Sequence, residues 1–266
     1  MLKKVKGKKI LIAALCLLGF GLIARNSFAN RANDSHTNNN GITVYLAGDS
    51  TAADYSSSSA PRAGWGQVFN QYFDNTVVVK NEARSGRSSK SFIKEGRLKS
   101  ILKQIEKGDY LFIQFGHNDE IKEDPNRFTR PYSSYKRNLK QYIDGARAKQ
   151  AIPVLVTPVE RRSFTNQGIA LNTHGEYPNA MKELGLEEHV PVIDLTAKSK
   201  KLFQELGPEK TKGVFLWLDA GKNKNYPEGI QDNIHFQEAG AKKISRLVLE
   251  GVQELKLVPL RHHIMK

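Results

Sequence analysis

Four short segments hold side chains that together could carry out a serine-dependent acyl transfer. Gly48-Asp49-Ser50-Thr51 sets a hydroxyl in a glycine-containing turn directly after a β-rich run. There it can be exposed, and a following helix start would aim N–H groups at it. Residues 81–88 include Gly86, which can bring a backbone N–H close to a ligand. Gly116-His117-Asn118-Asp119 adds a side-chain amide donor. Asp232-Asn233-Ile234-His235-Phe236 puts a carboxylate three residues from an imidazole, in an expected loop ahead of the last helix, where the acid can fix the ring's tautomer. A serine hydroxyl is a poor nucleophile at neutral pH until an imidazole accepts its proton. The oxyanion formed by attack on a carbonyl is stabilised by preorganised donors. Taken singly, each segment has a purely structural counterpart: Gly-Asp-Ser serves equally as a turn and helix cap, and Gly86 as a turn residue.

The elements that must bring these segments together are legible as alternating apolar runs and helical patterns. Residues 42–47 (ITVYLA), 77–79, 110–115 (YLFIQF), 153–157 and 192–195 read as short strands. Between them, Trp65, Val68, Phe69, Tyr72 and Phe73 share one helical face. So do Leu98, Ile101, Leu102 and Ile105, and then Tyr135, Leu139, Tyr142, Ile143 and Ala146. Leu202, Phe203 and Leu206, and Ile244, Leu247 and Val248, mark two later helices. Continuous apolar strands separated by amphipathic helices predict a single α/β domain, a three-layer α/β/α sandwich around a central parallel sheet of about five strands. In such sheets ligands bind beyond the carboxyl ends of the strands, where all four segments are expected.

The 266 residues are 39% hydrophobic and 26% charged, which excludes a disulfide scaffold, a collagen-like repeat and a polytopic membrane protein. The net charge of +14 is concentrated partly at the N-terminus. Residues 1–29 run from a lysine-rich start through an apolar stretch to Ser27-Phe28-Ala29, the pattern of a secretory signal, with an N-terminal membrane anchor as the alternative. Cleavage there would remove six positive charges and no acid, leaving +8 on 237 residues, and would also remove Cys16, the lone cysteine. The expected mature chain is thus a basic, secreted protein suited to an anionic polymer or an anionic cell surface, with no thiol for catalysis or metal binding and no stable membrane association. Residues 30–41 read as a polar spacer, 42–258 as the domain and 259–266 as a tail carrying His262 and His263. His117, His174, His189, His235, Asp119 and Asp219 show no His-x-x-x-His spacing, so no metal is expected. No phosphate-loop signature surrounds residues 85–91, and no basic–aromatic motif supports nucleic-acid binding.

The four blocks, with Thr157-Pro158-Val159, Arg161-Arg162 and Tyr226-Pro227-Glu228-Gly229, resemble the SGNH (GDSL-type) hydrolases, and among them the rhamnogalacturonan acetylesterases of carbohydrate esterase family 12. The resemblance runs from Ile42 to about Val252. It implies a flavodoxin-like fold and a cofactor-free serine esterase acting on acetylated acidic plant polysaccharide. Xylan acetylesterase, broad GDSL esterase or lipase, and non-catalytic polysaccharide binding are the alternatives. By the same resemblance, Ser50 is the nucleophile, His235 the general base and Asp232 its orienting acid. The N–H groups of Ser50 and Gly86 and the Asn118 amide would form the oxyanion hole. Arg84, Arg87, Arg161 and Arg162 are candidates to pair with galacturonate carboxylates, with solvated surface charge as the alternative reading. Lys90, Lys222 and Lys224 are expected to be surface charge; Trp65 is expected in the core, and Trp217 is open to either role.

Overall fold

The computed structural model describes residues 41–265. The signal segment and nearly all of the spacer expected before Ile42 lie outside the described residues.

The first strand, β1 (Ile42–Gly48), alternates its side chains between two separate cores. Val44 and Leu46 enter one, Tyr45 and Ala47 the other, because successive residues of a strand point to opposite faces. Beside it lie β3 (Val77–Asn81), β4 (Tyr110–Gln114), β5 (Ile152–Val156) and β6 (Val192–Ile193). All pair in parallel, in the order β3-β1-β4-β5-β6. After β1 the chain first adds β3 on one side and then β4 on the other. That reversal opens a crevice at the carboxyl ends of exactly these three strands, the switch point where ligands bind in doubly wound sheets.

Helices α1 (Ser89–Lys94), α2 (Arg97–Leu102), α3 (Lys136–Ala148) and α4 (Tyr177–Glu187) cover one face. Helices α5 (Leu195–Thr211) and α6 (Glu238–Glu254) cover the other, with a 3-10 helix at Trp65–Tyr72. The three-layer sandwich and the five-stranded parallel sheet are as expected from the pattern. On α3, Leu139, Tyr142, Ile143 and Ala146 are wholly buried at helical spacing. Each large side chain so buried contributes roughly 1.5–3 kcal/mol of transfer free energy.

Several details differ from the sequence reading. The stretch from Trp65 winds as a 3-10 helix: a Cβ on Gly66 would meet the Ala52 carbonyl oxygen at 2.5 Å, so this segment packs backbone against backbone. The pattern at 98–105 yields only a short α2, entered through Gly96 in the left-handed region, and Ile105 is buried beyond its end. The strand expected at 192–195 is two residues long, because Asp194 caps α5 by accepting from the Ala197 N–H. A second, three-stranded antiparallel sheet was not anticipated at all. It consists of β2 (Arg62–Ala63), β8 (Ile230–Gln237) and β7 (Phe215–Leu218), in the order β2-β8-β7. Residues 259–265, expected as a tail, fold back onto the domain. Leu260 is fully buried, Ile264 bridges to Phe73, and the Asp74 N–H donates to the His263 carbonyl.

Candidate active site

Ser50 lies two residues beyond the end of β1. No helix starts there; the Ala52 and Ala53 N–H groups both return to the Asp49 carbonyl, closing a single turn. Asp49 is wholly buried, and its Oδ1 accepts from the Thr51 N–H (2.9 Å) and hydroxyl (2.8 Å). Burial alone would raise its carboxyl, but His117 and the two Thr51 donors hold it below the ordinary carboxylate range. Tyr55 braces the turn from the other side, donating its hydroxyl to the Ser50 carbonyl at 2.7 Å and lying 3.0 Å from the Ser85 hydroxyl.

The acid–base pair comes from β8, not from a loop. His235 Nε2 is 2.9 Å from Ser50 Oγ, and His235 Nδ1 is 2.7 Å from Asp232 Oδ2. An ionised carboxylate only accepts, so Nδ1 carries the proton and Nε2 faces the serine with a free lone pair. The second carboxylate oxygen takes the Ile234 N–H (2.7 Å) and the His235 N–H (2.9 Å). Partial burial works to raise the Asp232 carboxyl. The His235 side chain and N–H, the imidazole's charge and the Ile234 N–H outweigh it and bring the carboxyl down to about 2. Asp232 therefore stays ionised and fixed at every pH where an imidazole could act.

The segment carrying this pair is held from outside. The Arg162 N–H donates to the Asn233 carbonyl, while Arg162 Nη1 (3.1 Å) and Trp217 Nε1 (3.0 Å) both donate to Asn233 Oδ1. Arg162 also donates to the carbonyl of Pro208 just after a break in α5, and stacks 4.6 Å over the Trp217 ring. Lys212 sits 4.8 Å from the same ring, so Trp217 is occupied by two cations.

Opposite the serine, Gly86 has φ +78°, a left-handed conformation that a side chain would strain, and no atom lies near its missing Cβ. Neither its N–H nor that of Ser50 has a hydrogen-bond acceptor among the described residues. Asn118 follows β4; its Oδ1 accepts from Arg127 (3.2 Å) and its Nδ2 donates to the Arg87 carbonyl (3.1 Å), which fixes the amide's orientation and leaves one N–H to give. Asp119 anchors this loop to the start of α1, taking hydrogen bonds from Ser89 and Thr129. Burial outweighs those bonds and pushes its carboxyl up to about 7.

Ser50, His235, Gly86 and Asn118 line one cleft of about 470 Å³, together with Arg62 and Arg161. Four distant segments thus meet as the sequence required. Of the four arginines proposed for substrate, only Arg161 lines this cleft, and its guanidinium is engaged by Glu120 and by the Thr173 carbonyl. Arg87 is tied to Glu95 and the Ser85 carbonyl, Arg162 is the brace described above, and Arg84 is exposed outside the cleft. Lys222 and Lys224 are exposed, and Trp65 is core, as expected. Tyr55 and Arg62 were missed. No periodicity marks them: Arg62 reaches the cleft only through the unanticipated β2, and Tyr55 meets Ser50 and Ser85 only through the turn after Ser50.

A carboxylate-oriented imidazole beside a strand-edge serine, facing N–H donors without acceptors among the described residues, is an arrangement suited to acyl transfer on a doubly wound fold. Residues 46–243 match the model of the GDSL-like Lipase/Acylhydrolase family, and the chain belongs to that family of carboxylic ester hydrolases. It is 50% identical over 224 residues to rhamnogalacturonan acetylesterase RhgT of Bacillus subtilis (strain 168), covering 84% of this chain and 94% of that protein. It is 46% identical over 218 residues to the rhamnogalacturonan acetylesterase of Emericella nidulans, covering 79% of this chain and 84% of the relative. Among solved structures, YxiM of B. subtilis superposes with a TM-score of 0.68 at 32% identity, over 82% of this chain but only 58% of YxiM. A mutant of Axe2, an acetylxylan esterase from Geobacillus stearothermophilus, has a TM-score of 0.56 at 16% identity, a likeness of fold.

Proposed function

We propose that this chain is a secreted serine esterase that removes O-acetyl groups from rhamnogalacturonan through a Ser50–His235–Asp232 acyl-enzyme mechanism. The observation that carries the mechanism is the unbroken chain of contacts from Ser50 Oγ to His235 Nε2 (2.9 Å) and from His235 Nδ1 to Asp232 (2.7 Å). Ser50 Oγ attacks the acetyl carbonyl as its proton passes to His235 Nε2. The tetrahedral oxyanion is held by the Ser50 and Gly86 N–H groups and the Asn118 amide. The carbon–oxygen bond to the sugar then breaks, and the departing oxygen takes the proton from His235. Water, deprotonated by His235, then attacks the acetyl-Ser50 ester; the bond to Ser50 Oγ breaks, Oγ takes the proton back from His235, and acetate is released. Asp232 keeps the imidazole in the tautomer that each step needs.

The substrate assignment is supported by two relatives named rhamnogalacturonan acetylesterases, at 50% and 46% identity over most of their length. Secretion is supported by the lysine-rich, apolar and small-residue order of the first 29 residues. Acetate release is to be measured on acetylated rhamnogalacturonan, acetylated xylan and long-chain 4-nitrophenyl esters, for the wild type and Ser50→Ala. The expected result is release from rhamnogalacturonan well above the other two, abolished by Ser50→Ala. Preference for xylan or for long acyl chains would overturn the substrate. Polymer binding without acetate release would make the chain a binder.

A further inference from the structure

We infer that Arg62 reads a uronate carboxylate beside the acetylated sugar, and so sets the enzyme's preference for acidic over neutral polymer. This assignment rests on the rhamnogalacturonan reading above and specifies which group performs the recognition.

Arg62 is placed by the same strand that places the base. In β2 it pairs with Gln237 of β8, two residues beyond His235, so the ladder fixes the two side chains relative to one another. The approach to β2 is clamped as well. Asn225 Nδ2 donates to the carbonyls of Ser57 (3.0 Å) and Ala60 (2.8 Å), and the Tyr226 hydroxyl donates to that of Ser59 (3.0 Å). The guanidinium lies over the Tyr55 ring at 4.4 Å, and that same tyrosine holds the Ser50 carbonyl. Arg62 thus lines the cleft on a platform built onto the nucleophile's turn.

What distinguishes it is the lack of a partner. Among the described residues, Arg161, Arg87 and Arg162 each donate to a carboxylate or a carbonyl, as set out above. Arg62 has no carboxylate or carbonyl partner among them, and its Nε is buried without an acceptor. A buried, unsatisfied donor on a permanent charge is costly. The missing partner is therefore expected to come from the ligand. A planar guanidinium, stacked on an aromatic face with its donors unspent, matches the two oxygens of a carboxylate better than a sugar hydroxyl, which offers one acceptor and no charge.

The test uses the full-length protein and its Arg62→Gln and Arg62→Lys variants. The substrates are acetylated rhamnogalacturonan oligosaccharides, free-acid or with their galacturonate carboxyls methyl-esterified. For each protein the quantity read is the ratio of kcat/KM between the two forms. For the wild type, esterification is expected to lower kcat/KM roughly ten- to a hundredfold. Arg62→Gln is expected to bring the ratio close to one, and Arg62→Lys to leave it in between. The ratio is internal to each protein, so a loss of folded enzyme does not imitate the result. A wild-type ratio near one, or a ratio unchanged in Arg62→Gln, overturns the assignment and leaves the rhamnogalacturonan reading standing. Wild type that releases acetate from neither form while hydrolysing 4-nitrophenyl acetate sinks that reading and the assignment together.

Discussion

Two aspartate–histidine pairs lie near Ser50, and only one presents a ring nitrogen to its hydroxyl. His235 lines the cleft and Asp232 holds its ring, both partly exposed, with the carboxylate accepting three N–H groups and the imidazole facing the serine. Asp49 and His117 are almost completely buried, although His117 also borders the cleft, its Nδ1 standing 3.4 Å from Asp49 Oδ2. Neither ring nitrogen of His117 has a hydrogen-bond partner among the described residues. Burial, the neighbouring His174 and Arg161 together bring its imidazole down to about 4, against the pull of Asp49. The residue types are the same; solvation and donor supply differ. Orientation by a satisfied carboxylate yields a base, whereas burial yields a neutral ring that packs edge-on against His174.

The comparison breaks most visibly at the imidazoles. His235→Ala is expected to lower kcat by about 10⁴- to 10⁶-fold with an unchanged melting temperature, because the ring lies at the cleft surface. His117→Gln is expected to lower it less than tenfold. Steady-state acetate release by the two purified variants checks this, and comparable losses would erase the distinction drawn between the pairs.

A smaller effect is expected at the acids. Asp232→Asn should cost about 10³- to 10⁴-fold in kcat, since the ring loses its tautomer before it loses its basicity. In the wild type, Asp232 remains ionised down to about pH 2, so its own protonation should add no step to the rate profile above that pH. A pH profile in which Asp232→Asn removes a step well above pH 2 would contradict the arrangement.

The smallest effect is on stability. His117 has a folded value of about 4, below its ordinary 6.5, so the folded state resists its protonation. Its contribution is complete above about pH 6.5 and is lost as pH falls toward 4. Asp119, raised to about 7, acts with the opposite sign over part of that window. The informative quantity is therefore the difference in unfolding free energy between the wild type and His117→Gln. That difference should shrink as pH falls from 6.5 to 4; a pH-independent difference would mean that His117 does not titrate differently on unfolding.

Much of the frame was readable in advance because the central strands are apolar on both faces. Runs such as YLFIQF fit little else than a buried parallel strand. Helix α4 escaped notice although Tyr177, Ala180, Met181 and Leu184 carry its buried spacing. The antiparallel sheet escaped for a different reason: β8 buries only Phe236 fully, and a strand so polar reads as a loop. The blocks around Ser50, Gly86, Asn118 and His235 were legible because local chemistry marks them. Arg62 and Tyr55 carry no such mark.

Sequence alone determined which residues could react, since Gly48-Asp49-Ser50-Thr51 and Asp232-Asn233-Ile234-His235 carry their chemistry in their side-chain types and spacing. It also determined the layered frame, through apolar periodicity that depends only on near neighbours in the chain. Tertiary structure alone decided which aspartate–histidine pair meets Ser50, which cleft arginine has no acid or carbonyl partner among the described residues and which arginines are consumed as braces. Those outcomes depend on burial and on donors contributed from residues far away along the chain, such as Arg162 and Trp217 gripping Asn233. Desolvation and partner count are properties of a packed site, and no local pattern of residues encodes them.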